Sequence, residues 1–400
     1  MPSCSLRAFA LLRHGACVLL AGCATTRGTA GERVRDARWT IATTVADSIR
    51  TERLAPGVWL HHLVRTAGPL RAHVLDIDLS SCVSLRALKG GPTAVGRTTT
   101  SALLRGLPAA EAPIAAVNAD FFLFAPPGVP VGALVVDGRL IAGPINRPVL
   151  AFDARNAPFI GTLTASGALT SARGRVPIAT WNRPSATAIG VVDAAWGQGL
   201  DSLARPTALQ LVPISGNAPD RRYRVAPLPA THSGLARGDT LLLVGSARAS
   251  VLPGDTVRLE ASLLPIMPHT VVGGFPLLLR DSMIVPTVDS AGAASFRGVN
   301  PRTAAGYAQN GRRLLLVVID GRQAGYSVGT TTRETAALLR DLGAREAVNL
   351  DGGGSTAMVV RDAASGAIRV VNKPSDAAGE RAVANALAVT GRCDTGRTPR

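Results

Sequence analysis

The sequence predicts an α+β fold, with a mixed, β-rich sheet core and flanking helices. Three observations carry this. Residues 314–319 are apolar without a break, the composition of a strand buried on both faces. A single amphipathic helix then separates them from a short second strand at 348–350. Residues 155–266 fall into short apolar segments divided by Gly, Pro and Asp, the rhythm of strands and turns.

Taken in order, residues 1–22 have the pattern of an export signal. Arg7 and Arg13 precede a short apolar core, Ala16 to Leu20. Leu20-Ala21-Gly22-Cys23 resembles a bacterial lipobox, with Cys23 as the lipidated residue. This gives a lipoprotein-type signal at 1–22, a Thr-, Gly- and Arg-rich tether at 23–50, a main domain at 51–391 and a disordered tail at 392–400. The protein is expected to be exported and held at the bacterial cell envelope by its lipid alone. No later apolar stretch reaches the roughly 20 residues that cross a bilayer. Cys4 and Cys17 leave with the signal, so Cys82 and Cys393 remain, either paired or both free.

Val58 to Val64 and Arg71 to Leu79 read as strands. In the second, His73, Leu75, Ile77 and Leu79 share one face, and Asp76 and Asp78 are expected in solvent on the other. His61-His62 reads as a pair of surface histidines rather than metal ligands. A short helix is expected within 98–107 and a strand at 114–117. Further strands follow at 188–192, 241–244 and 256–259 inside the β-rich section. Arg237-Gly238-Asp239 reads as a turn leading into one of them. Gly273-Gly274-Phe275-Pro276 is a tight turn before a strand at 277–279. Thr331 and Glu334 form a capping box. Leu338, Leu339 and Leu342 make an apolar stripe, and Gly343 ends the helix.

Apolar residues make up 46% of the 400, enough for a sizeable core, while aromatics are only 4%. The formal charge is +16, nearly all of it from arginine, since lysine occurs only at 89 and 373. This reflects either composition bias or attraction to anionic envelope polymers and phosphorylated substrates. No basic cluster is interleaved with aromatics, which argues against nucleic acid as a partner. No CxxC or histidine-rich spacing suggests zinc.

Chemistry concentrates between Asn300 and Met358. Asn300-Pro301-Arg302 opens this stretch, Asp320-Gly321-Arg322 ends the apolar strand, and Asn349-Leu350-Asp351-Gly352-Gly353-Gly354-Ser355-Thr356 ends the next. Carboxylates, arginines and an amide at strand ends and glycine turns are where a scaffold places a site. A glycine turn can also aim several N–H groups at an anion. Taken singly, Asp320 fits a hairpin turn and Glu334 a helix cap; the joint pattern is what points to function.

This stretch resembles the phosphodiester glycosidase family. So do Val117-Asn118-Ala119-Asp120-Phe121-Phe122, Val272-Gly273-Gly274-Phe275-Pro276, and the run from Val371 through Lys373-Pro374-Ser375-Asp376 to Glu380-Arg381 and Asn385. Asn182-Arg183-Pro184 is similar to the family's variable middle. Relatives often carry glycine where this chain has Asp120 and Phe275, so the resemblance assigns Asp120 no catalytic role.

The resemblance implies hydrolysis of a sugar 1-phosphodiester, with an N-acetylglucosamine-like α-glycosyl group. Such a substrate carries negative charge at phosphate, which calls for an arginine clamp from Arg302, Arg322 and Arg381. Its leaving group is a weak base, so the essential group is a carboxylate acting as base or nucleophile. Asp351 and Asp320 are the candidates, with Arg302 as the main phosphate contact. Asn349, Asn118, Gly352, Gly353, Gly354, Ser355 and Gly274 are expected around the substrate. No cofactor is required; a divalent metal held by Asp320, Asn349 or Asp351 is compatible with the chemistry but demanded by no spacing. The same residues would serve a second class of protein, a non-catalytic envelope lipoprotein that binds anionic exopolysaccharide. A third reading is a hydrolase of peptidoglycan or another exopolysaccharide, which has no need of the clamp. Catalysis predicts that Asp320, Asp351 and Arg302 converge.

Overall fold

The computed structural model describes residues 45–184, 188–197, 208–215, 221–228, 236, 238–245 and 251–391. The expected signal, most of the tether and the tail lie outside them. The first strand, Ser48–Ala55, begins inside the segment assigned to the tether.

Strand dominates, at 46% against 11% helix, so the α+β expectation gives way to a β-rich architecture. Among the described residues the strands form four sheets. The expected helical flank reduces mainly to Thr332–Asp341, with Thr100–Arg105 and Ala294–Arg297 as short companions. Nearly all neighbouring strands run antiparallel. The two-residue pairing of Thr180–Trp181 with Gly190–Val192 is the parallel exception.

The sheet that positions the site has eight strands. Their order is Ser48–Ala55, Val58–Arg65, Leu70–Asp78, Arg313–Ile319, Arg302–Ala308, Glu346–Asn349, Leu277–Arg280 and Met283–Ile284. Arg313–Ile319 is central, as its apolar run requires. Leu314, Leu316 and Val318 enter one core with Val117, Met358 and Leu387 of a five-stranded sheet stacked on that face. Leu315, Val317 and Ile319 enter a second core with Ala336, Leu339 and Leu342 of the helix. Each fully buried Leu or Val contributes roughly 1.5–3 kcal/mol of transfer free energy, which favours a core strand over an edge one.

The helix is built as its sequence dictates. The Thr331 side chain accepts from Glu334 N–H, and Glu334 Oε2 accepts in return from Thr331 N–H. Gly343 follows the C-cap at φ 92°, a conformation costly to other residues.

The face expected to hold solvated charge is instead buried. Asp76 is 1% exposed and accepts from Arg313 Nε at 2.9 Å and Nη2 at 2.7 Å. Leu75 and Ile77 of the strand Leu70–Asp78 enter one core and Ala72 and Val74 the other, so both of its faces are covered. His61 is likewise buried, bonded to Thr51 Oγ1 at 2.8 Å, and His62 Nδ1 lies 2.9 Å from His73 Nδ1. His61 is therefore not a surface histidine, while His62 is half-buried. Cys82 is disulfide-bonded, its partner lying outside the described residues. Gly238 and Asp239 lie in a turn, as expected.

Candidate active site at one edge of the central sheet

Antiparallel pairing brings four charged positions to one edge of the eight-stranded sheet. Arg313–Ile319 and Glu346–Asn349 both end there, in Asp320 and Asp351. Arg302–Ala308 lies between them and runs the other way, so it begins there. Leu70–Asp78, on the far side of Arg313–Ile319, also begins there and contributes Arg71. A single helix joins the two strands, a connection that favours direct parallel neighbours. They are parallel, but separated by Arg302–Ala308. This insertion places Arg302 between the two carboxylates, the position for which the sequence offered no route.

Asp351 is half-buried. Its backbone N–H donates to Ala119 O at 2.7 Å and its carbonyl accepts from Asn118 Nδ2 at 2.7 Å. The carboxylate accepts from Gly352 N–H at 2.9 Å and from the Ser355 hydroxyl. Desolvation raises its pKa to about 6 against these bonds and the charge of Arg381. The Ala119 bond brings the next residue, Asp120, alongside. Asp120 is 2% exposed and accepts from Gly132 N–H at 2.7 Å. Burial lifts it to about 7, with the Asp351 charge adding to the rise and Arg183 opposing it. Two carboxyls whose pKa values desolvation lifts to about 6 and about 7 suit acid–base chemistry.

Asp320 has a different environment. It is 1% exposed and its carboxylate accepts from Lys373 N–H at 2.8 Å, Asn372 Nδ2 at 3.2 Å and Tyr326 O–H at 3.2 Å, with His73 Nε2 at 3.2 Å. Its oxygens are occupied by protein groups that pin the loops at 326 and 373. Arg302 is also committed to the protein. Nε donates to Thr330 O at 3.0 Å, and Nη2 to Phe296 O at 2.8 Å and Gly298 O at 2.6 Å. It has no carboxylate partner among the described residues. Burial and the neighbouring Arg322 lower its pKa to about 10.

The remaining expected residues divide by environment. Asn118, fully buried, is a clasp: its Oδ1 accepts from Thr303 Oγ1 and Ala357 N–H while Nδ2 holds Asp351 O. Asn349 Nδ2 donates to Phe275 O and Leu350 O, and its Oδ1 is buried without a partner. Arg322 is exposed, bonded to Asn300 Oδ1, with its guanidinium 3.1 Å from where a Cβ on Gly353 would lie. Arg381 is held by Asp376 and packs on Gly354, where a Cβ would fall 2.1 Å from Nη2. A Cβ on Gly274 would meet Val348 at 2.6 Å, so this glycine lets its turn pack on the strand Glu346–Asn349. The N–H groups of Gly352, Gly353, Ser355 and Thr356 already have acceptors within the protein, so the turn is not an open anion nest.

Sequence reasoning missed four contributors. Asp120 was set aside because relatives differ there. Arg183 donates to Gly143 O and Gly132 O and faces Asp120. Asn385 Oδ1 accepts from Asp120 N–H, leaving its own Nδ2 buried and unpartnered. Phe296 stacks near Phe121 at 5.7 Å and Phe275 at 6.0 Å, three half-buried rings beside the carboxyls. Phe122 turns away to pack with Phe124. Among the described residues no three His, Cys, Asp or Glu side chains form a metal-sized group.

Comparison with known proteins bears on this edge. Residues 245–390 match the phosphodiester glycosidase family. The match takes in Arg302, Asp320, Asp351 and Arg381, while Asn118 and Asp120 precede it. None of the curated proteins matches the sequence. Among solved structures, a hypothetical protein from Synechocystis is 22% identical with a TM-score of 0.68, over 86% of this chain and 64% of that one. The chain therefore spans just under two thirds of that protein, and the likeness speaks to the fold. A protein of Burkholderia pseudomallei K96243, named as exported, is 28% identical with a TM-score of 0.58, over 84% of this chain and 75% of that one. The zebrafish N-acetylglucosamine-1-phosphodiester alpha-N-acetylglucosaminidase catalytic domain, auto-inhibited by its pro-peptide, is 15% identical over 86% of this chain and 87% of that one. Its TM-score of 0.45 lends no weight.

Proposed function

We propose that this chain is an exported glycosidase that hydrolyses a sugar 1-phosphodiester, an N-acetylglucosamine-like α-glycosyl phosphodiester of envelope glycans or glycoconjugates. The observation that carries the reading is the pair Asp120 and Asp351, both lifted towards neutrality and joined through the Asp351–Ala119 backbone bond. The family match over residues 245–390 supplies the reaction class.

Asp351 has the lower pKa, about 6. Near neutrality it is largely ionised and acts at the anomeric carbon, as base on water or as nucleophile. Asp120, at about 7, still holds its proton in half of the molecules at that pH and delivers it to the departing phosphate oxygen. Arg322 is exposed beside the glycine turn without a carboxylate partner among the described residues, and so takes the phosphate. Arg381 and the buried Arg302 add positive potential rather than a free fork. The rings of Phe121, Phe275 and Phe296 offer an apolar face for the sugar. Asp320 acts as a positioning residue, through the loops it pins.

Export and a lipid on Cys23 complete the proposal. They are supported by the Leu20-Ala21-Gly22-Cys23 sequence and by the exported relative. The direct test is hydrolysis of N-acetylglucosamine-1-phosphodiesters by the purified chain and by Asp351→Asn. Wild type should turn over and the variant should lose roughly 10²–10⁴-fold. Near-normal turnover in the variant refutes the assignment. Binding of anionic glycan without turnover by any form replaces it with the lipoprotein binder.

A further inference from the structure

The sheet edge that holds Asp351 continues in a second cationic seat. The half-buried Tyr326 ring has the Lys373 ammonium 4.9 Å from its centroid and the Arg71 guanidinium 5.3 Å from it. Neither cation has a carboxylate partner among the described residues. Many arginines elsewhere do have one, as in Arg345 with Asp281 or Arg333 with Asp289. The one nearby carboxylate is Asp320. It is 1% exposed and held by Lys373 N–H, Asn372, Tyr326 O–H and His73, and among the described residues it forms no ion pair with the exposed Lys373 ammonium. An ammonium and a guanidinium beside one aromatic ring, neither paired with a carboxylate among the described residues, form an anion site at the edge of that ring.

Its place relative to the chemistry follows from strand order. The strands that present Arg71, Asp320, Arg302 and Asp351 are consecutive. With neighbours about 4.8 Å apart, Arg71 enters roughly 14 Å from Asp351. Arg322 bridges the interval: its guanidinium lies against Gly353, and the next residue, Gln323, donates Nε2 to Lys373 O at 2.9 Å.

Building on the proposed sugar-phosphodiester hydrolysis, we infer that the aglycone is a polyanion, whose next negative group is held by Arg71 and Lys373 beside the Tyr326 ring. A small monoester aglycone would leave both cations unused. A chain with repeated charge would be held along the edge and steered to it by the field.

The test uses three substrates with the same N-acetylglucosamine-1-phosphodiester bond. Their aglycones are methyl, a neutral oligosaccharide, and an oligo(glycerol phosphate) of matching length. The polyanionic substrate should show a KM lower by about tenfold, the size of two partly exposed charge contacts. The advantage should vanish in high salt, and in Arg71→Gln/Lys373→Gln the three substrates should converge on one KM. Equal KM values in the wild type, or an advantage that survives the double substitution, overturn the inference while the hydrolase reading stands. If no substrate is cleaved, the hydrolase reading fails instead. Calorimetric binding of oligo(glycerol phosphate) to wild type and double variant then decides the seat alone: weaker binding by the variant supports it, and equal binding overturns it.

Discussion

Gly273→Ala tests the carboxyl pair with a single methyl group. Gly273 closes the strand Thr270–Gly273, and its backbone lies in a region open to alanine. A Cβ there would lie 2.6 Å from Asp120 Oδ2 and 2.7 Å from both Cγ and Oδ1, against about 3.4 Å for an ordinary contact. The carboxyl group must therefore retreat by about 0.8 Å, and Gly132 N–H holds it from another side at 2.7 Å. A displacement near 1 Å at a reacting group costs on the order of 10²-fold in rate. Overpacking costs about 1–3 kcal/mol of stability, which a domain of this size tolerates. The assay is steady-state hydrolysis of a sugar-1-phosphodiester beside a thermal melt. A folded variant whose kcat falls by roughly 10²-fold, with KM little changed, supports Asp120 as a reacting group. A folded variant within about threefold of wild type would refute the reasoning, since displacing a reacting group by about 0.8 Å should cost far more.

The same pair predicts a narrow bell in kcat/KM. Activity should rise as Asp351 ionises near about 6 and fall as Asp120 loses its proton near about 7; a flat profile from pH 5 to 8 would count against both roles. Asp120 has a raised pKa, so its contribution to stability is fully present below the unfolded value, near 3.9, and is lost as pH rises through about 7. Asp120→Asn should therefore resist urea better relative to wild type at pH 8 than at pH 5. Asp76→Ala strands the Arg313 guanidinium in the core and should cost about 3–5 kcal/mol in urea unfolding; a loss below about 1 kcal/mol would mean that water reaches the site. Cys23→Ser should move the protein from the membrane fraction to the soluble one, and unchanged fractionation would end the lipid-anchor proposal.

What the sequence disclosed was local. The strand Arg313–Ile319 and the Thr331–Glu334 capping box declare themselves within a few residues, because burial on both faces and helix capping are short-range demands. Asp76 misled because alternation separates two faces without saying whether the second is covered; its partner Arg313 lies 237 residues away. Arg302 was assigned to the site without a path, since only the strand order shows it starting where its neighbours end. The asparagine clasps at 118, 372 and 385 carry no local signal, because each joins segments that meet only after the sheets have formed. The helical content was overread from one clear helix beside many short strands.

The edge-meeting arrangement has a consequence for how this chain can be divided. A fragment limited to residues 245–390 would hold Asp320 and Asp351 but neither Asp120 nor Asn118. It would also lack the strand Leu70–Asp78, which pairs with Arg313–Ile319 along its whole length. The core strand would become a bare edge, with Arg313 deprived of Asp76 and Asp320 deprived of His73. Such a strand invites pairing with other copies. Recombination, tagging or deletion that separates residues 70–120 from 300–390 should therefore yield aggregates rather than a folded fragment. The shortest unit that keeps this sheet edge together runs from Leu70 to Asn385.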